Sequence, residues 1–232
     1  MQNFEFIGFS DPVSSMSHLL GALVFLIIGI VSLVRYHQNW RRSLAMSLFV
    51  FAVIFALSMS GVYHLLTPDT TGRMVLQRLD HAAIFFLIAA SFTPIHALMF
   101  RGFNAWGVLL LIWAVSITGI TLKTIFFSDL PEWMGLIFYL GLGWIGIYTA
   151  TLLVRTYGFN FTRLLFFSAL AYTIGAVLDF EHTPTLINHV IGAHEIFHFC
   201  VLAGITFHWW FLFHRIYPKL SSAVAEQRQA LQ

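Results

Sequence analysis

LLGALVFLIIGIVSLV, residues 19–34, contains no charged side chain and no proline. Taken with the residues on either side, it makes segment 14–35 long enough to cross hydrocarbon, which needs about 20 mostly apolar residues. A cleaved signal fits less well. Residues 1–14 hold Glu5 and Asp11 but no Lys or Arg, and no small-x-small cleavage site closes the apolar run ahead of Arg35. The segment reads as a retained membrane helix.

Working outward, six more segments have the same character: 43–66, 78–100, 105–126, 133–155, 161–178 and 191–215. The connections are short and carry the breakers, as in Thr67-Pro68-Asp69, Ser128-Asp129-Leu130-Pro131 and His182-Thr183-Pro184. The expectation is an all-α membrane protein, a seven-transmembrane helix bundle with short loops forming a single domain over 1–232. Pro94 falls inside the third span and predicts a kink, because its ring removes a backbone donor. Gly141, Gly143 and Gly146 in the fifth predict close contact with a neighbouring helix.

Composition agrees. The chain is 59% hydrophobic and only 9% charged, with mean hydropathy +0.82. A soluble domain carries roughly 25% charged residues, so this chain is too poor in charge to cover a water-facing surface. Net charge is only +2, which leaves no basic surface for nucleic acid. The one cysteine, Cys200, excludes an intrachain disulfide and a cysteine-built metal cage.

Counting crossings sorts the cations. With the N-terminus on side A, side B receives Arg35, Arg41, Arg42, Arg101, Arg155, Arg163, Arg215, Lys219 and Arg228, and side A only Arg73, Arg78 and Lys123. By the positive-inside rule side B faces the cytoplasm and the N-terminus lies outside the plasma membrane.

The same counting gathers polar residues at one depth near side A. The second helix ends on Ser60-Gly61-Val62-Tyr63-His64. The third begins with Arg78-Leu79-Asp80-His81, the seventh with His194-Glu195-Ile196-Phe197-His198, and the first with Ser14-Ser15-Met16-Ser17-His18. Ionisable groups within a bilayer are costly and mark function. His194 and His198 are four apart and share one helix face. With His64 from a facing helix they supply three imidazoles, the usual protein share of an open catalytic zinc site. Asp80 can hydrogen-bond a ligand or the bound water, or act as a fourth ligand. Ser60, one turn before His64, can hold the same water.

A plainer reading stands beside this one, in which the histidines bond to backbone carbonyls of neighbouring helices. His18 reads as a packed polar partner, and His81, turned about 100° from Asp80, falls outside the shell. His37, His182, His189 and His214 read as solvated helix-end residues. His96 and His208 lie deep with no evident partners. The string His194-Glu195-Ile196-Phe197-His198 also fits the H-E-x-x-H of zincins, in which the glutamate is the base, so an intramembrane metalloprotease is a rival.

These motifs resemble the bacterial hemolysin III-like proteins of the progestin and adipoQ receptor superfamily, distantly similar to alkaline ceramidases. The matching strings are Ser17-His18-Leu19-Leu20-Gly21, Ser60 to His64, Arg78 to Ile84, Ala90-Ser91-Phe92-Thr93-Pro94, Tyr172 to Val177, and His194 to His198, in order across residues 10–215. The resemblance implies seven helices with zinc among helices two, three and seven. It places the family's Ser-x-x-x-His on Ser60 and His64, its aspartate on Asp80 and its His-x-x-x-His on His194 and His198. Ceramidase-like relatives hydrolyse lipid amides with such a site. The name hemolysin points to cytolysis, for which the residues suggest no mechanism. Receptor members differ in placing the N-terminus in the cytoplasm, behind a large leading domain.

The leading expectation is a zinc-dependent hydrolase of lipid amide or ester bonds, with membrane lipid as substrate, metal ligands His64, His194 and His198, and Asp80 and Ser60 as catalytic groups. The alternatives are a receptor or regulator with a structural zinc, or a transporter. Few polar residues lead on towards side B, which weighs against transport.

Overall fold

The computed structural model describes residues 10–35, 39–187 and 190–221. The predicted residues His37, His189 and Arg228 lie outside this set. Among the described residues all extended regular structure is helical: α1 (Pro12–Arg35), α2 (Trp40–Leu65), α3 (Thr71–Met99), α4 (Phe103–Ile125), α5 (Glu132–Trp144), α6 (Gly146–Tyr157), α7 (Phe159–Phe180) and α8 (Ala193–Phe211). A π-helical turn, Leu212–Ile216, carries α8 onward to Ser221. Among the described residues seven spans are long and apolar enough to cross a membrane, with α5 and α6 sharing the fifth.

Two boundaries differ from expectation for local reasons. The third helix begins about two turns before residue 78. Its first turns are polar, which hides them from a hydropathy reading, and Thr70 caps them by accepting from the Arg73 amide. The fifth span breaks at Ile145, amid Gly141, Gly143 and Gly146, residues of low helix propensity. Pro94 does not end α3, which runs through it.

The helices pack in chain order around a ring that α8 closes against α1. α2 and α3 bury the most surface. Their inner faces, with the later part of α8, form one core around Phe49, Val53, Leu57, Leu212 and Phe213. The outer face of α1 presents Leu20, Leu23, Ile27, Val31 and Val34, as lipid requires. Lipid tails are as apolar as these side chains, so helix contact depends on close fit. Gly61 lets α1 reach α2: a Cβ there would stand 2.6 Å from Leu19. Gly175 and Gly204 do the same for α7 and α8, against Cys200 and the Tyr172 ring at 2.6 and 2.7 Å. Gly141 and Gly143 do not serve this purpose, since a Cβ on either meets nothing within 4 Å, and Gly146 is only in ordinary contact with Phe92. The expected contact stripe in the fifth span is corrected accordingly.

The deep histidines do have partners. His96 donates from Nδ1 to the Asn104 carbonyl (2.5 Å) and accepts at Nε2 from the Thr149 hydroxyl (2.9 Å). That ties α3, α4 and α6 together near side B. His208 bonds from Nε2 to the Ser91 carbonyl (3.1 Å). Buried polar groups do therefore extend towards side B, held in local bonds. His182 and His214 are exposed, as a solvated reading requires.

Candidate metal centre

α2 delivers Ser60 and His64 in its last two turns, and α8 delivers His194 and His198 in its first two. α8 starts cleanly because the Gly192 amide donates to Glu195 Oε2 (2.8 Å). A four-residue step keeps both α8 rings on one face, and that face looks at the end of α2. The Nε2 atoms of His64 and His194 lie 3.2 Å apart, and those of His194 and His198 lie 3.1 Å apart. One donor atom from each of the three falls within 4.8 Å of the others, close enough to hold one metal ion.

Proton counting shows why that convergence asks for a cation. His64 directs Nδ1 at Asp11 Oδ2 (3.1 Å), and His194 directs Nδ1 at Asp179 Oδ1 (2.9 Å). A carboxylate accepts only, so each Nδ1 bears the hydrogen and each neutral ring offers a lone pair at Nε2. Neutral rings 3.2 Å apart are held by a positive centre between the lone pairs, a shared proton or a metal ion. Two nitrogens about 2.0–2.1 Å from one tetrahedral ion stand about 3.3 Å apart, near the spacing seen. The donor set fits a metal. The plainer reading holds in part, since His198 also bonds to the Ser14 backbone, but His64 and His194 turn Nδ1 to carboxylates and Nε2 to the cluster.

His64 and His198 are buried, whereas the His194 side chain is 43% exposed. The centre is therefore open on the His194 side, towards side A. Asp80 lies outside the converging donor set. Its carboxylate takes a hydrogen bond from the Ser60 side chain and acts on His194 through space. The sequence left open whether Asp80 orients a ligand ring; here Asp11 and Asp179 orient those of His64 and His194. Ser60 serves Asp80.

Around this core the first helix closes the floor. His18 stacks on His198, ring centroids 3.9 Å apart, with Nε2 3.4 Å from the His198 carbonyl. Ser15 donates to the Gly61 carbonyl (2.7 Å), and Ser14 donates to Glu195 Oε1 (3.1 Å). Both Glu195 oxygens are thus engaged, one by α1 and one by its own helix start. That leaves the zincin reading without its base. His81 donates to the Gln77 carbonyl (2.8 Å) and stays outside the donor set.

Asp11, Asp179 and Arg73 are the residues that sequence reasoning missed. Arg73 donates to Asp11 Oδ2 (2.6 Å) and to the Leu66 carbonyl, and its guanidinium lies 4.8 Å over the Tyr63 ring. Burial alone would raise the Asp11 carboxyl. Hydrogen bonds from His64 and Arg73, with the guanidinium charge, outweigh it and hold the group down at about 2. Asp11 is a fixed anion at any working pH. The signal available in the sequence was position: crossing counts put Asp11 and Asp179 on the face that holds His64 and His194.

A model of the haemolysin-III related family matches residues 8–209. The chain is 28% identical to a hemolysin-3 homolog of Bacillus subtilis (strain 168) over 187 residues, 78% of this chain and 84% of that one. It is 27% identical to hemolysin-3 of Bacillus cereus over 206 residues, 83% of this chain and 90% of that one.

Proposed function

This chain belongs to the haemolysin-III related family, and from that premise we propose that it is a zinc-dependent hydrolase of an amide or ester bond in a membrane lipid. The observation that carries the reading is the meeting of three imidazole Nε2 atoms beside the Ser60–Asp80 pair, at a centre open on one side. Three neutral imidazoles favour zinc among the available divalent ions. His64, His194 and His198 would hold a zinc ion, which would supply Lewis acidity towards a carbonyl and a water.

The rest falls to the protein's own groups. Asp80 accepts the proton of the attacking water and returns it to the leaving amine or alcohol. Ser60, donating to Asp80, fixes which carboxylate oxygen is free to do so. Asp11 and Asp179 hold two ligand rings in their tautomers. Lying one to two turns below side A, the site suits a lipid whose head is wet and whose acyl chain enters between helices.

The test is a panel of labelled ceramides and acyl amides, assayed with purified wild type and His194→Ala. Turnover is expected in the wild type and a fall of at least about a hundredfold in the variant. Equal rates in the two would reject the mechanism.

We further place side A, and so the site, outside the plasma membrane, on the excess of cations at side B. Green fluorescent protein fused to the C-terminus is then expected to fluoresce, and alkaline phosphatase fused there to be inactive. The opposite pair of results would invert the topology.

A further inference from the structure

Three neutral imidazoles bring no charge to a divalent ion, and burying uncompensated charge beneath a headgroup layer is costly. The compensation in this chain stands one ring away. Asp11 and Asp179 each accept from the Nδ1 of a different ligand, His64 and His194. Asp179 adds a negative charge beside His194, and Asp11 adds one beside His64 that it shares with Arg73. They also fix each ring's tautomer and raise its basicity, as outer-shell carboxylates do at metal sites generally. The third ligand has no acid: the His198 ring faces the Ser14 backbone and is steadied by stacking on His18.

The two carboxylates are mounted differently. Asp179 is in the last turn of α7, and its side chain is 36% exposed. Asp11 precedes α1 and is docked onto the end of α2 at both backbone and side chain. Its amide donates to the His64 carbonyl (3.1 Å), the Ser10 amide donates to the Leu65 carbonyl (3.4 Å), and the Asp11 carboxylate receives the His64 ring. Arg73 holds the same carboxylate oxygen from α3. A residue placed only to anchor the chain end would need Arg73 alone. This one spends the oxygen that faces the metal ligand.

We infer that Asp11 and Asp179 are positioning residues that set the metal affinity of the centre. This inference rests on the metal centre proposed above and adds that affinity is governed from outside the ligand set.

The experiment uses the full chain in detergent or nanodiscs and zinc alone as probe, with apparent affinity read by competition against a chelator. Asp11→Asn and Asp179→Asn are each expected to weaken zinc binding about tenfold to hundredfold. Arg73→Gln, which removes the same ion pair but leaves Asp11 facing His64, is expected to bind zinc as tightly as wild type or tighter. The rise in melting temperature on adding zinc, read on the same samples, is expected to shrink in both Asn variants and to persist in Arg73→Gln. Asn variants that bind zinc as wild type does would overturn the inference. So would an Arg73→Gln loss equal to that of Asp11→Asn, which would make Asp11 a structural clasp only. A wild type that binds no zinc would instead overturn the centre itself, and this inference with it.

Discussion

Purified from zinc-supplemented cells, the wild-type protein is expected to carry one metal ion per chain, and the His64→Ala/His194→Ala/His198→Ala triple variant less than about a tenth of that. The effect is large because all three donors are removed and, among the described residues, the nearby carboxylates are engaged elsewhere. Asp11 and Asp179 are turned to the ligand rings, Glu195 is engaged by Ser14 and Gly192, and Asp80 lies outside the donor set. Structural zinc sites bind with roughly 10–16 kcal/mol at neutral pH, so a threefold ligand loss leaves little. Elemental analysis gives the stoichiometry, and circular dichroism shows whether the variant keeps its helices. Ligand linkage provides a second measurement: a thousandfold excess of metal over its dissociation constant stabilises by about 4 kcal/mol. Chelation should therefore lower the melting point of the wild type and leave that of the triple variant unchanged. Equal metal in the two proteins would dissolve the centre.

The second large effect belongs to Asp80. Asp80→Asn is expected to keep its metal and to lose turnover by about a hundredfold to ten-thousandfold, the range assigned to a positioned general base. Asparagine has nearly the same shape and still accepts from Ser60, but it cannot take a proton. Ser60→Ala should cost less, about tenfold to a hundredfold, because it removes one hydrogen bond to a charged group. Metal content and hydrolysis measured side by side separate the hydrolase from a regulator built on a structural metal, which would hydrolyse nothing in any variant. Wild-type turnover in Asp80→Asn would remove Asp80 from the chemistry. Loss of the metal as complete as in the triple variant would make it a ligand instead.

The fold was legible because hydrocarbon imposes its own composition. Each charge-poor run longer than the bilayer had to be a helix, and seven such helices stand among the described residues. The three-histidine cluster was legible because four-residue spacing fixes a helix face, and crossing parity fixes which ends meet. What was hidden shares a physical cause: it depends on direction. Asp11 and Asp179 sit at polar helix ends, where an acid serving a ligand looks like one facing water. Gly141 and Gly143 have the spacing of a contact stripe, but spacing does not say whether lipid or protein faces it. His96 and His208 bond partly to backbone carbonyls, which every residue carries and no sequence marks. The early start of α3 escaped because hydropathy measures lipid preference, whereas helices extend as far as their caps allow.

The centre joins the two ends of the chain. His64 and His194 are 130 positions apart, and Ser14 reaches Glu195 across 181. A ribosome threads the first helix into the bilayer long before the last exists. Through most of synthesis Ser14, Ser15 and His18 wait beside lipid and an incomplete set of helices. The three-histidine cluster can close only after α8 has been made. A metal bound at the proposed centre would thereby report that translation has passed α8.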